Sequence, residues 1–112
     1  VAEVFKILGE PSNPSTTNTT LYSVPNTDQK AQAVISVLVI ANTTNAALTA
    51  RVFCVPRGGS AAQSNALFYD FSIAANTTDT ALKGLTLRAG DSIVVRASAT
   101  NLIFTAFGSE IT

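Results

Sequence analysis

Chemistry in this chain would have to start from its carboxylates. Asp28, Asp79 and Asp91 each fall in a predicted turn, and Asp70 follows Tyr69 inside a predicted strand. Two turn aspartates brought together in space could serve as the acid and base of a glycosidase. No tryptophan is present to form a sugar platform, and aspartate in a turn ordinarily bonds its own backbone. For Asp70 the expected partner is an arginine on a neighbouring strand, in a cross-strand ion pair. The chain has no histidine and a single cysteine, Cys54. Histidine triads, histidine metal sites and thiolate clusters are therefore excluded. Gly58-Gly59 lacks the lysine, the hydroxyl residue after it and the following helix of a phosphate loop. The acidic residues do not have the spacing of an EF-hand. The expectation is a non-enzymatic chain with no catalytic residue, no cofactor and no metal.

Charge narrows the partners further. Seven basic and seven acidic residues cancel. Lys6, Lys30, Arg51, Arg57, Lys83, Arg88 and Arg96 are scattered, so no basic stripe exists to neutralise phosphates, and nucleic acid is not an expected partner. No apolar run approaches the ~20 residues of a spanning helix, and no signal-peptide pattern opens the chain. A membrane is therefore not an expected partner either, and a start at Val1 fits removal of an initiator methionine. Cys54 lies inside an apolar run, where a lone thiol behaves as a small buried hydrophobe. The alternatives for it are an intermolecular bridge or a reactive thiol. Asn18-Thr19-Thr20, Asn42-Thr43-Thr44 and Asn76-Thr77-Thr78 match glycosylation acceptors; without a secretion signal they read as turn chemistry.

The elements that must position these residues are strands. At 112 residues the chain is one domain on length and is large enough to bury a core without staples. Charged residues make up 12%, about half the usual ~25%, so the surface is polar but scarcely ionic. The longest β-branched apolar run is 33–41. A polar Asn42-Thr43-Thr44-Asn45 turn follows it, and then a second apolar run, 48–55. Taken as a hairpin, these place Ala41 opposite Ala46, Val39 opposite Leu48, Val37 opposite Ala50, Ile35 opposite Val52 and Ala33 opposite Cys54, a wholly apolar face. The other face pairs Ile40 with Ala47, Leu38 with Thr49, Ser36 with Arg51 and Val34 with Phe53. It is mixed, yet more apolar than a solvent face should be. A single bulge would exchange the two faces beyond it.

Further along, 65–73 alternates, with Leu67, Tyr69, Phe71 and Ile73 on one face and Ala66, Phe68, Asp70 and Ser72 on the other. The strand at 80–87 is interrupted by Gly84, which marks a bulge or bend. The strand at 92–98 turns Ile93, Val95 and Ala97 inward, against Val94 and Arg96, and 101–107 returns the chain. Residues 1–10 form an N-terminal arm or edge strand, 11–20 a polar, proline-broken linker, and 21–112 the main domain. No stretch keeps a helical period. About eight short strands separated by polar turns predict an all-β fold: an antiparallel β-sandwich, jelly-roll-like.

The order and spacing of several short pieces carry a resemblance. They are Thr20-Leu21-Tyr22-Ser23-Val24-Pro25, Val39-Ile40-Ala41-Asn42-Thr43, Val55-Pro56-Arg57-Gly58-Gly59 and Tyr69-Asp70. Then come Ala74-Ala75-Asn76-Thr77, Gly84-Leu85-Thr86-Leu87-Arg88-Ala89-Gly90-Asp91-Ser92-Ile93 and Phe104-Thr105-Ala106-Phe107-Gly108-Ser109-Glu110. From Leu21 onward the chain resembles small β-structured virion proteins of tailed phages, especially phages of cyanobacteria. The resemblance implies a structural particle component, a capsid decoration protein in some settings and a tail or fibre protein in others. Residues 1–9 lie outside it.

The leading expectation is a capsid decoration (cement) protein at the capsid surface, made in the host cytoplasm. It would form a homotrimer and contact the major capsid protein or other virion proteins. Val34, Leu38, Ile40 and Phe53 are the candidates for self-association, and Val4, Phe5, Ile7 and Leu8 for docking of the arm. If the central hairpin is covered on both sides, these eight are simply core. The alternatives are a tail, baseplate or fibre module, or a receptor- or carbohydrate-binding domain that uses the 57–64 and 76–79 loops.

Overall fold

A computed structural model describes residues 3–12, 18–25, 31–99 and 102–111; for 3–12 and 79–83 it describes the backbone alone. Eight strands follow one another: β1 (Glu3–Ser12), β2 (Thr19–Ser23), β3 (Gln32–Asn42), β4 (Leu48–Val55), β5 (Ala66–Ile73), β6 (Thr78–Arg88), β7 (Ser92–Ala97) and β8 (Leu102–Ile111). They form two four-stranded sheets, in the orders β1-β8-β3-β6 and β2-β7-β4-β5. Every pairing is antiparallel. Apart from β4 and β5, no two consecutive strands are neighbours in a sheet, because the chain crosses between sheets at nearly every connection. That wrapping is the jelly roll, and the expected all-β sandwich is what the chain forms.

The core lies between the sheets. Ile35, Leu38, Ile40, Leu87, Leu102 and Phe104 of the first sheet meet Val52, Ile73, Ile93 and Val95 of the second. Each such side chain contributes roughly 1.5–3 kcal/mol on burial. At one end Tyr22 of β2 donates its hydroxyl to the Glu110 carboxylate of β8, tying the sheets together. Burial, with Glu110 adding to it, raises the Tyr22 pKa far above the ordinary phenol value, so the ring stays neutral.

The expected hairpin does not form. β3 pairs with β6 and β8, and β4 with β5 and β7, so the two runs lie in opposite sheets. Face-to-face stacking buries the same apolar sides as side-by-side pairing, so local pattern does not separate the two arrangements. The link between them is organised by Asn42, which is buried. Its amide donates to the carbonyls of Ala46 (2.9 Å), Ile73 (3.1 Å) and Ala74 (3.2 Å). Its Oδ1 accepts from the Thr44 amide (2.9 Å) and hydroxyl (2.7 Å). Asn76, in the left-handed region at φ 54°, donates its amide to the Thr44 carbonyl at 3.0 Å. Two of the Asn-Thr-Thr motifs are thus turn chemistry that pins one turn to the other.

A bulge then resets β3. Ile35 pairs with Gly108 and Val37 with Phe107, leaving Ser36 as an extra residue against β8. On the other side Gly84 stands opposite Ser36, with φ +72°, a conformation open to glycine. Beyond the bulge the two faces exchange. Ala33, Ile35, Leu38 and Ile40 are buried, while Val37 and Val39 are half-exposed.

β1 is the edge strand of the first sheet. It pairs with β8, placing Val4 opposite Glu110, Phe5 opposite Ser109 and Ile7 opposite Phe107, with a register shift around Leu8. It runs to Ser12, two residues into the stretch expected as linker.

Candidate binding surfaces

Strand alternation gives each sheet an outer face. In the first sheet Leu102, Phe104 and Ala106 are buried and Ile103, Thr105 and Phe107 point away from the core. The β3–β8 register sets Val37 beside Phe107, Val39 beside Thr105 and Ala41 beside Ile103. Val34 extends the patch, opposite Thr86 on β6 and Ser109 on β8. Val34 is 37% exposed and Phe107 39%. β3 carries no charged residue, and the only one in β8 is Glu110.

In the second sheet Ala50 and Val52 of β4 and Ile93, Val95 and Ala97 of β7 enter the core. Thr49, Arg51, Phe53 and Val55, with Val94 and Arg96, therefore occupy the outer face. This face has two halves. In the apolar half Phe53, Val55 and Val94 form a separate cluster against which Ala61 and Ala66 pack. The loop at 56–65 lies over it and is tied down along its length. The Gly59 backbone amide donates to the Pro56 carbonyl (2.9 Å), the Arg57 backbone N–H to Asp91 Oδ1 (2.9 Å), and Asn65 Nδ2 to the Ser60 carbonyl (2.9 Å).

The polar half is open. Thr49, Arg51, Asp70, Arg96, Ala97 and Ser98 line a groove of about 360 Å³. Arg51 and Arg96 are direct cross-strand partners. β5 bulges where the register steps from Ala50–Phe71 to Val52–Phe68, and Asp70 takes the left-handed conformation there, φ 58°. The bulge delivers Tyr69 and Asp70 together to Arg51. Arg51 Nε lies 2.8 Å from Asp70 Oδ1, and Nη2 lies 3.4 Å from Oδ2. The guanidinium sits 4.0 Å from the Tyr69 ring centre. The hydrogen bond from Arg51 holds the Asp70 carboxyl below the usual range, with smaller help from the charges of Arg51 and Arg96. This is the cross-strand ion pair expected for Asp70. Among the described residues Arg96 makes no hydrogen bond or ion pair of its own.

The four residues singled out for self-association separate. Leu38 (1% exposed) and Ile40 (0%) are inter-sheet core, and Phe53 (3%) lies under the chain's own loop. Val34 alone reaches the surface. The Ser36 bulge is the physical reason: it turns Leu38 and Ile40 inward and brings out Val37 and Val39, the residues expected in the core. The side chains of Val4, Phe5, Ile7 and Leu8 lie outside the described ones. Asp28 lies outside the described residues altogether, and Asp79 is described by backbone alone. Asp91 serves its turn, accepting from the amides of Arg57 and Arg88. Burial, and then the charge of Asp91, raises the Cys54 thiol pKa, which keeps the thiol protonated and poorly nucleophilic. Among the described residues no group of three or more acidic or cysteine side chains is placed to hold a metal.

No family model matches the chain, and no curated protein matches its sequence. Among solved structures it is similar to a chain of the infectious bursal disease virus Gx strain, at 14% identity and TM-score 0.53, covering 97% of this chain and 30% of that one. It is similar to a chain of the T13 particle of infectious bursal disease virus, at 12% identity and TM-score 0.55, again over 97% and 30%. It is also similar to a chain of Bacillus endospore appendages, a family of disulfide-linked pili, at 12% identity and TM-score 0.57, over 96% and 85%. The chain therefore spans under a third of the viral chains it matches. At these identities the likeness is one of fold.

Proposed function

We propose that this chain is a non-enzymatic structural protein of a virus particle. Its most concrete form is a capsid decoration (cement) protein that self-associates as a trimer and seats on the major capsid protein. The observation that carries this reading is the apolar outer face of the first sheet, Val34, Val37, Val39, Ile103 and Phe107, on a fold shared with chains of virus particles. A bare apolar patch rimmed by polar residues marks an assembly surface. The self-association surface of this proposal is that face, in place of Leu38, Ile40 and Phe53.

Light scattering on the isolated protein tests it, with a trimer expected. Val34→Asp with Phe107→Asp should give a folded monomer. A strict monomer at high concentration for the unaltered protein overturns the trimer. Gold-labelled antibody on intact particles should decorate heads. A second reading, a tail, fibre or filament module, is favoured by the pilus likeness, which covers most of both chains. It predicts open-ended polymers and label on tails.

A further inference from the structure

We propose that the groove on the outer face of the second sheet binds a carboxylate-bearing sugar, with Arg96 as the principal carboxylate ligand. The argument begins with charge. Arg96, Arg51 and Asp70 form a row across β7, β4 and β5, two cations to one anion. Like charges directly opposite each other on adjacent strands cost stability. Asp70 engages Arg51 through two hydrogen bonds and feels Arg96 through charge alone, so among the described residues the Arg96 donors have no hydrogen-bond acceptor. An arginine has five N–H donors in a fork that fits a carboxylate in bidentate fashion. Arg96 is half-buried and lines the groove wall.

The remaining lining suits a polyhydroxylated ring. Ser98 Oγ accepts from the Thr49 amide at 3.0 Å, so its O–H is left to donate. Thr49 adds a second hydroxyl. Beyond the lining itself, the Tyr69 ring, 44% exposed, lies 4.0 Å from the Arg51 guanidinium. A volume of about 360 Å³ lies within the range of small-molecule sites, more than a lone aspartate or glutamate side chain fills. The groove is on the side of the sandwich opposite the apolar face of the first sheet. A chain seated by that face keeps the groove open to solvent. The groove is read from its own residues and stands whether or not the chain belongs to a capsid.

The test is titration of the whole protein, followed by NMR, with glucuronate and galacturonate oligosaccharides, their neutral counterparts, acetate, and a glutamate-rich peptide. Uronate oligosaccharides should shift Thr49, Arg96 and Ser98, and neutral sugars should not. Arg96→Ala should weaken uronate binding roughly tenfold or more, the loss of a charge-assisted pair. That variant removes no internal hydrogen bond, only the weak charge interaction with Asp70, so its melting temperature should change little. Three results overturn the proposal. They are no uronate binding at millimolar concentration, uronate binding that Arg96→Ala leaves unchanged, and equal or tighter Arg96-dependent binding of acetate or the peptide, which would make this a docking point for a protein carboxylate.

Discussion

Phe107 on the first sheet and Phe53 on the second both point away from the inter-sheet core, yet they meet different fates. Phe53 is covered by the chain's own 56–65 loop, anchored through Arg57 and Asn65. Phe107 is left 39% exposed beside Val37, Val39 and Ile103. The second sheet also carries a charged row, Arg96–Arg51–Asp70, while its edge strand β5 leaves Leu67 and Phe71 exposed. A chain that spends a ten-residue loop on hiding one apolar patch and leaves another bare separates a surface it finishes alone from one finished by another molecule.

The largest effects should separate neighbours across the β3 bulge. Leu38→Ala should destabilise the monomer by about 2–5 kcal/mol, whereas Val37→Ala should cost under about 1 kcal/mol in urea unfolding of the monomer. Equal costs would show that the bulge does not set the faces. The two phenylalanines sharpen the comparison next. Phe53→Ala should cost about 3–5 kcal/mol. Phe107→Ala should leave the monomer within about 1.5 kcal/mol of the unaltered protein and shift the oligomer towards monomer in light scattering.

Gly90→Ala probes the root of the covering loop. Gly90 has φ +87°, and an added Cβ would meet the Arg57 side chain at 2.5 Å. We expect a loss of about 1–3 kcal/mol and faster amide exchange at 57–65 than at β3. The smallest effect is in acid. The Asp70 pKa is lowered from 3.8 in the folded chain. Its stabilising contribution is present above that value and is lost as pH falls through the lower folded pKa. Asp70→Asn should flatten that part of the urea midpoint against pH, while Val34→Ala on the other face should leave the slope unchanged.

Several features were legible in the residues. Alternation in Ser92–Ala97 placed Ile93, Val95 and Ala97 inward, and they are buried. Asp91 was expected to bond turn backbone and does so. Asp70 was expected to pair with a strand arginine, and Arg51 is that residue. These expectations rest on the period of two, on turn bonding such as Arg88 N–H to Asp91, and on the general pairing of a strand carboxylate with a cation on the next strand. The partner sheet of β3 was not legible, nor was the bulge at Ser36, since one serine in an otherwise apolar run fits a regular strand as well as a bulged one. The pairing of Arg51 with Arg96 was hidden for another reason: a jelly roll makes neighbours of strands far apart in sequence.

Composition and alternation by themselves determined an all-β sandwich with polar turns, low charge and no histidine chemistry. Those properties follow from side-chain type and a two-residue period, which every short strand carries within itself. Tertiary structure alone decided that β3 faces β4 across the core, that Val37 rather than Leu38 reaches the surface, and that two arginines share one groove. Each of these depends on which distant strand supplies the neighbour and where one extra residue shifts the register. That choice is made by the packing of the whole core.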